Sequence, residues 1–386
     1  MKGFFNLSHL SAGFTTVLVG YTSSVVIVIQ AATASGANPA QIESWLLTLG
    51  VVMGLASILY SWFYKTPIVT AWSTPAAVML AASAGQYSLP VVIGAFMFSG
   101  ALFTLTGMLA PLTRALSKIP VPLGTAMLGA ILLPFCAKAF TPLTDTPALF
   151  ALLFTSYLLA KHFVPRYTML VLLLVSLGSA LALGSFQHAD LALRIATPIW
   201  VTPEFDWLAM LNLALPLYLI TMLSQNLPGI AMLKSYQYDA PIKPILVGTG
   251  LATLMSAPFG GFSINLAAIS AAICMNEDVN QDKAQRYRAV LWAGGFYLLA
   301  GIFAALVVNL FLALPKPISA MLAGLALLGT LMMCLQSAFK IDVYREPALL
   351  TFVITLSGAT LFGMSATLIG LVIGLAYLRL TTRPRP

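Results

Sequence analysis

Apolar runs separated by short polar loops occupy almost the whole chain and constrain its fold more than any other feature. There are fourteen of them, at 11–34, 41–64, 74–86, 90–112, 122–141, 147–163, 167–185, 207–233, 242–258, 263–275, 289–313, 317–338, 347–362 and 364–380. A helix needs about 20 apolar residues to cross a bilayer, and most of the runs approach that length. The pattern predicts an all-α polytopic membrane protein with 14 transmembrane segments, seven on each side of a polar stretch.

The composition agrees with a membrane protein and excludes several other classes. The chain is 60% hydrophobic and 8% charged, whereas soluble domains carry about 25% charged residues. The net charge of +8 comes from basic residues in short loops, as membrane topology requires, so nucleic acid is not an expected partner. The three cysteines, Cys136, Cys274 and Cys334, lack metal-ligand spacing, and we expect neither a metal nor another cofactor.

The distribution of basic residues predicts the orientation of the segments. With a cytoplasmic N-terminus, only Lys138, Arg194 and Lys316 fall outside, and the other basic residues fall inside: Lys2, Lys65, Arg114, Lys118, Lys161, Arg166, Lys234, Lys243, Lys283, Arg286, Arg288, Lys340, Arg345, Arg379, Arg383 and Arg385. Both termini are then cytoplasmic. Since seven is odd, the second group of segments begins on the opposite side. We therefore predict two inverted repeats, 1–185 and 207–386, joined by a surface stretch at 186–206.

The stretch 66–77 interrupts the third segment. Its middle, with the β-branched Val69 and Thr70, favours extended backbone, so 66–72 should be extended near the bilayer midplane. Ser73 or Thr74 can then cap a helix that has Pro75 in its first turn. The apolar run after this cap is too short to span a bilayer, so a half-helix should begin inside the membrane.

A second copy of this arrangement lies downstream. Phe262 aligns with Trp72, each followed by serine, at an offset of 262 − 72 = 190 residues. Pro317 aligns with Pro122 at an offset of 317 − 122 = 195. We predict extended residues at 257–263 and a second half-helix in segment 10, because interrupted segments in two halves are typical of a transporter's binding site. Chance similarity between Ala/Gly-rich helices is the alternative.

Two adjacent amides inside the 207–233 run are further candidates. Gln225 and Asn226 are costly at membrane depth unless they are paired or hydrated, and the following Pro228 and Gly229 weaken the helix. We interpret these amides as binding-site residues. Hydrogen bonding between helices is the alternative, and it is the interpretation we favour for the isolated Asn309.

Aromatic and hydroxyl side chains complete the candidate site. Tyr21 and Ser24 share one face of the first segment, although hydroxyls in membrane helices often bond their own backbone. Trp72 and Phe262 are predicted near mid-membrane, where interfacial aromatic belts are not expected. They are therefore predicted to wall an apolar pocket.

No grouping of residues suited to catalysis is present, and the chain is not expected to be an enzyme. Every Asp and Glu lies at or near a predicted loop or helix end, and no Ser/His/Asp grouping or zinc spacing occurs.

Several strings resemble the benzoate/proton symporter family of bacteria, over essentially the whole chain. These strings are Thr70-Ala71-Trp72-Ser73-Thr74-Pro75, Ser224-Gln225-Asn226-Leu227-Pro228-Gly229-Ile230, Ser256-Ala257-Pro258-Phe259-Gly260, Ala271-Ala272-Ile273-Cys274 and Met321-Leu322-Ala323-Gly324-Leu325-Ala326-Leu327-Leu328. The resemblance implies an inner-membrane importer of benzoate-like aromatic carboxylates. The family's wider relatives imply a core domain that moves against a gate domain. Nucleobase relatives carry glutamates in segments 8 and 10, where this chain has Gln225 and Ile264-Asn265, which argues against a nucleobase substrate.

We therefore expect a secondary active transporter that imports benzoate or a similar aromatic carboxylate with protons. The carboxylate would bind where two half-helix N-termini face each other, with Ser73 and Thr74 on one side and Ser263 and Asn265 on the other. The expected substrate-binding residues are Trp72, Ser73, Thr74, Gln225, Asn226, Phe262, Ser263, Asn265, Tyr21 and Ser24. A uniporter or channel for small solutes is the alternative, and a homodimer in the lipid bilayer is compatible with either function.

Two routes for proton coupling stay open. The proton can travel on the occluded carboxylic acid substrate, or an acid such as Glu43 or Asp145 can bind it. We favour the first route because it needs no membrane-embedded carboxylate.

Overall fold

The computed structural model describes residues 6–109, 111–112, 118–184 and 194–382. The predicted boundary between 185 and 186 lies outside the described residues. So do four basic residues of the predicted charge distribution, namely Lys2, Arg114, Arg383 and Arg385. The described part is mostly helical, as predicted, and two very short strands interrupt the helices.

The first half contains seven helices of ten or more residues and one strand among its described residues, with a four-residue helix at Pro142–Asp145. They are α1 (Leu7–Ala34), α2 (Pro39–Tyr64), β1 (Thr70–Trp72), α3 (Thr74–Ser83), α4 (Leu89–Met108), α5 (Val121–Lys138), α6 (Pro147–Phe163) and α7 (Thr168–Ala182). The start of α2 shows how the sequence sets these limits. Asn38 and Gln41 form a capping box around Pro39, with both hydrogen bonds at 2.9 Å.

The second half repeats the order of long and short elements. They are α8 (Trp207–Ser235), α9 (Ile242–Ser256), β2 (Ile264–Leu266), α10 (Ile269–Met275), α11 (Tyr287–Ile302), α12 (Ala304–Leu312), α13 (Lys316–Phe339), α14 (Asp342–Ser357) and α15 (Ala366–Thr382). Two π-helical turns, Met210–Ala214 and Met222–Asn226, widen α8 just before Pro216 and Pro228. Proline removes a backbone N–H, and single π-turns often lie at functional sites.

Eight helices among the described residues are long and apolar enough to cross a membrane, and the bent pair α11 and α12 would make a ninth. The chain is therefore a multi-pass membrane protein. As predicted, α3 and α10 are too short to span alone, with 10 and 7 residues. The helices α6 and α15, with 17 residues each, and α14, with 16, are also shorter than a simple span.

Long helices pair across the two halves and enclose the strands. α2 packs along α11, α4 packs along α9, and α5 packs along α13. α1 contacts both α3 and α11, so a helix of the first half touches both halves of the fold. The largest fully buried side chains include Trp45, Phe96 and Phe262, which surround the approach to β2.

Candidate functional site

The two short strands pair with each other inside the protein. β1 and β2 are antiparallel, with Ala71 opposite Asn265, and Ala267 donates a further bond to the carbonyl of Val69 at 2.9 Å. We call this pair, with the first residues of α3, the strand crossing. A two-stranded sheet leaves backbone groups unpaired at both edges, and lipid cannot satisfy them. Other polar groups of the chain must therefore reach both edges.

Hydroxyl groups from α2 satisfy the edge of β1. The N–H of Thr70 donates to Ser57 Oγ at 2.9 Å, and the N–H of Ile68 donates to Ser61 Oγ at 3.0 Å. Ser57 and Ser61 are four residues apart and share one helix face. These two serines were not among the residues predicted for the site, although their spacing within an apolar helix was a usable signal.

Helices α8 and α9 satisfy the edge of β2. The N–H of Ile264 donates to Thr253 Oγ1, and the N–H of Leu266 donates to Asn226 Oδ1, both at 3.0 Å. The amide of Asn226 also donates to Met222 Sδ at 3.2 Å, and its side chain is fully buried. Asn226 therefore supports the strand backbone, a role not considered from the sequence, and its assignment to the binding site stays a prediction.

Its neighbour Gln225 differs from Asn226 in burial and in hydrogen bonding. Gln225 is half-buried and makes no side-chain hydrogen bond within the described part of the chain. Gly229 lies one turn further along α8, where a Cβ atom would come within 2.6 Å of the Leu266 side chain. The predicted helix weakening beside Gln225 thus corresponds to a close approach between α8 and β2.

The prediction that 257–263 is extended is wrong in its position. Residues Ala257–Phe259 form a 3₁₀ turn that continues α9, and the strand begins only at Ile264. The helical path ends at Gly260, whose φ of +93° lies in the left-handed region that favours glycine. The pairing centres on Ala71 and Asn265, an offset of 265 − 71 = 194. This is close to the proline offset of 195 and differs from the 190 of the aromatic–serine alignment.

The start of α3 is built as the sequence predicts. Ser73 is the fully buried N-cap and accepts a hydrogen bond from the N–H of Ala76 at 3.2 Å, with Pro75 in the first turn. Pro75 has no N–H, so the N–H of Thr74 and the hydroxyl protons of Ser73 and Thr74 are the donors that this turn offers a ligand. The helix dipole adds positive potential at the same point.

The start of α10 differs, and here the prediction is wrong. α10 begins at Ile269 after an uncapped Ala268, so Ser263 and Asn265 do not lie at its N-terminus. Asn265 is instead in β2, and its amide donates to the carbonyl of Ser263 at 2.8 Å. Ser263 has a φ of +43°, and its hydroxyl and Asn265 Oδ1 are buried without a partner among the described residues.

Three residues predicted for the site, one from β1 and two from α1, come together on the side of the strand crossing that faces α1. The indole N–H of Trp72 donates to Ser24 Oγ at 2.9 Å, and the rings of Trp72 and Tyr21 meet edge to face at 5.0 Å. Ser24 in turn donates to the carbonyl of Gly20. The Tyr21 hydroxyl is buried and has no partner in the described part of the chain.

Phe262 lies against a different set of rings. Its ring centroid is 5.8 Å from that of Trp45 and 5.4 Å from that of Phe96, and its side chain is fully buried. Thr221, on α8, was not singled out from the sequence; its buried hydroxyl also lacks a partner among the described residues. Thr221 precedes Gln225 by one helical turn, so its place in the polar part of this helix was the available signal.

A cavity of about 630 Å³ lies elsewhere, between α2 and α9. Its lining is mostly aliphatic and contains no charged side chain, which does not suit a carboxylate. Over the described residues, no group of three or more His, Cys, Asp or Glu could hold a metal ion. The strand crossing, with its buried unpaired polar atoms, is therefore the better candidate for a polar ligand.

The chain can now be compared with known proteins. The sequence model of the benzoate membrane transport protein family matches residues 3–380. The chain belongs to this family. It is 40% identical over 365 residues to "Inner membrane protein YdcO" of Escherichia coli (strain K12), covering 95% of this chain and 93% of that protein. It is 35% identical over 385 residues to "Benzoate membrane transport protein" of Acinetobacter baylyi, covering 100% and 98%.

Solved structures show the same fold at low sequence identity. SLC26A9 superposes with a TM-score of 0.68 at 13% identity, over 97% of this chain and 66% of that chain. The transmembrane domain of the cyanobacterial bicarbonate transporter BicA superposes with a TM-score of 0.65 at 16% identity, over 96% and 97%. This member of the benzoate membrane transport family is thus a multi-pass inner-membrane transporter, and not an enzyme, with an SLC26-like fold.

Proposed function

We propose that the chain imports benzoate or a similar aromatic monocarboxylate together with protons, and that the substrate binds at the strand crossing. One observation carries the proposal. The crossing places the Trp72 ring and the capped start of α3 in one segment, paired with β2; Asn265 of β2 and Ser263 just before it hold buried polar atoms without partners among the described residues. The family and a relative named for benzoate supply the substrate class.

The crossing offers an aromatic carboxylate two kinds of contact. Trp72 and Tyr21, already edge to face, give an aromatic wall for the ring. The hydroxyls of Ser73 and Ser263 and the N–H of Thr74 can donate to the carboxylate, and charge-assisted hydrogen bonds are stronger than neutral ones. Burial of an unpaired hydroxyl costs free energy that a bound carboxylate would remove.

Gln225 serves as a further donor in this proposal, and Asn226 acts indirectly. Gln225 has a half-buried amide, without a hydrogen-bond partner among the described residues, on the helix that touches β2. Asn226 holds the Leu266 N–H and so fixes the strand that carries Asn265. Phe262 would form the floor beneath the turn that enters β2, through its contacts with Trp45 and Phe96.

The fold is proposed to consist of 14 segments in two inverted repeats, 1–185 and 207–386, joined by 186–206. The order of elements supports this proposal, since each half has one strand followed by a short helix in its third segment. The packing supports it too: α2 against α11 and α4 against α9 are reciprocal pairs between the halves. In this proposal both termini are cytoplasmic, and segments 1–4 and 8–11 form a core that moves against a gate made of the rest.

The proton is proposed to travel with the substrate. An anion is recognised first at the α3 N-terminus, and it is protonated as water leaves the closing site, because desolvation favours the neutral acid. The strand crossing and the adjoining Ser263 contain no acidic side chain: their residues are 70–76 and 263–267. A proton-binding acid elsewhere in the chain is the competing route.

Uptake by proteoliposomes tests the function. We expect labelled benzoate to accumulate above its external concentration when the outside is acidic, and the accumulation to collapse when a protonophore removes the pH gradient. Equilibration without accumulation under every gradient would contradict symport and support a uniporter or channel. Neutralising Glu43 and Asp145 one at a time separates the proton routes: loss of accumulation with intact benzoate exchange would identify a protein-borne proton.

A further inference from the structure

The described end of the connection between the halves, residues 194–206, follows a defined path over the ends of helices α2, α4, α9 and α11. We call residues 194–206 the strap. The strap has no helix or strand, yet its backbone N–H groups donate to the fold at four places. Their acceptors are Ile302 O for Ala196 at 3.3 Å, Ser44 Oγ for Ile199 at 2.8 Å, Pro258 O for Val201 at 2.8 Å and Pro90 O for Glu204 at 3.0 Å. These bonds specify the path of an otherwise irregular segment.

A residue near the start of α2 binds the first residue of the strap. Glu43 forms an ion pair with Arg194 at 2.5 Å; its side chain is 3% exposed and that of Arg194 is 51% exposed. Glu43 is the one fully buried carboxylate in the described part of the chain. Removing Arg194 would leave the buried Glu43 carboxylate without its opposite charge, so this ion pair fixes the start of the strap.

Two further residues of α2, Ser44 and Thr48, join the strap to the segment that enters β2. Ser44 accepts from the N–H of Ile199 and donates to the carbonyl of Phe259 at 3.0 Å. Thr48 donates to the same carbonyl at 3.2 Å. Trp200 of the strap also meets the Phe259 ring edge to face at 5.3 Å. We call Glu43, Ser44 and Thr48 the α2 hub.

The carbonyl held by the hub directly precedes a strained turn. Gly260 has a left-handed φ of +93° and lies against the Trp45 ring, where a Cβ atom would overlap it. Ser263, three residues later, has a φ of +43°, which is costly for a residue with a side chain. Such backbone persists only when its surroundings impose it.

We propose that the α2 hub is a positioning device for substrate binding, acting through the turn that carries Ser263. Ser44 and Thr48 are positioning residues: they set the Phe259 carbonyl, which starts the turn, and Glu43 keeps the strap on Ser44. The inference rests on the proposed function, because it takes Ser263 as a substrate contact. No hub residue touches the substrate itself.

Benzoate affinity of purified protein, measured by calorimetry, tests this role. Thr48→Val keeps the side-chain volume and removes one hydroxyl, and Ser44→Ala removes the link to the strap. Loss of a hydrogen bond of about 1–2 kcal/mol corresponds to about five- to thirtyfold, and we expect the dissociation constant to rise by that factor while the maximal exchange rate changes less than twofold. Ser44→Thr keeps the hydroxyl, so its benzoate dissociation constant should stay close to that of the wild type. Ser99→Ala, a buried serine that bonds within α4, is the matched control.

A double-mutant cycle separates positioning from general damage. If Ser44 acts through Ser263, then Ser44→Ala should weaken benzoate binding much less in a Ser263→Ala background than in the wild type. For the ion pair, Glu43→Gln should weaken binding and Glu204→Gln on the same strap should not. The Glu43→Arg/Arg194→Glu double variant should recover part of the loss.

The outcomes distinguish failure of this inference from failure of the proposed function. Wild-type affinity in Thr48→Val, Ser44→Ala and Glu43→Gln would overturn the inference while leaving benzoate as the substrate. Fully additive effects of Ser44→Ala and Ser263→Ala would also overturn it. Absence of benzoate binding by the wild type would overturn the proposed function instead. Should Ser44→Ala fail to fold, Thr48→Val still carries the test.

Discussion

The two sides of the strand crossing differ in how completely they satisfy their own polar groups. On the first side, Ser73 caps α3 and the Trp72 indole bonds Ser24, and the Tyr21 hydroxyl is the one buried polar atom of this wall that lacks a partner among the described residues. On the second side, β2 leads through an uncapped Ala268 into a seven-residue helix, and Ser263 and Asn265 each keep a buried polar atom without a partner in the described part of the chain. The first side, with its capped helix, is thus more nearly complete without a ligand than the second.

This difference suggests a division of labour. A wall whose polar groups are mostly paired can hold an aromatic ring with little change in its own structure, whereas a segment with unpaired buried atoms gains free energy when a ligand or water arrives.

The largest effect is expected for the ring wall of the first side. Trp72→Ala removes the indole and leaves Ser24 without its donor, so the benzoate dissociation constant should rise at least about thirtyfold, as for a binding hot spot. Trp72→Phe keeps an aromatic ring, so the dissociation constant should rise less than in Trp72→Ala. Isothermal calorimetry of both variants provides the measurement, and equal affinity in wild type and Trp72→Ala would remove Trp72 from the site.

The second effect separates the two adjacent amides of α8. Asn226→Ala leaves the Leu266 N–H buried and unpaired, which costs about 1–3 kcal/mol, so the melting temperature should fall along with uptake. Gln225→Ala should weaken uptake and leave the melting temperature unchanged. Asn309→Ala, at equal expression, is the control and should transport better than either variant. A normal melting temperature for Asn226→Ala would contradict its role as a strand support.

A third test concerns the charge of the ligand. Donors and the α3 dipole face the carboxylate in this account, and charge-assisted hydrogen bonds contribute about 1.5–3 kcal/mol. Benzoate should therefore compete with labelled benzoate at least about tenfold better than benzamide does, and uracil should compete poorly. Competition by benzamide at the same concentration as benzoate would count against carboxylate recognition at the α3 N-terminus.

The smallest effect is expected for backbone strain on the second side. Ser263→Gly relieves a positive φ and removes an unpaired hydroxyl, so the ligand-free protein should become more stable, by about 1 kcal/mol. Benzoate binding should weaken at the same time, because a donor is lost. Thermal melting with and without benzoate measures both effects. A less stable Ser263→Gly variant would show that the hydroxyl has a structural partner.

Much of the fold could be predicted from the sequence, because apolar runs and charges report directly on the membrane. The half-helix α3 followed from Ser73 and Pro75, whose local preferences agree with their tertiary role. The start of β2 was misplaced because Pro258 and Gly260 allow either a turn or an extended path, and tertiary contacts choose between them. The role of Asn226 depends on Leu266, 40 residues away, which local pattern cannot reveal.

A structure with bound 4-bromobenzoate tests the central claim most directly, since the anomalous signal of bromine locates the ring without ambiguity. The account predicts bromine against the Trp72 and Tyr21 rings, and the carboxylate within hydrogen-bond distance of Ser73 and Ser263. Bromine in the aliphatic cavity between α2 and α9, with the strand crossing empty, would contradict it.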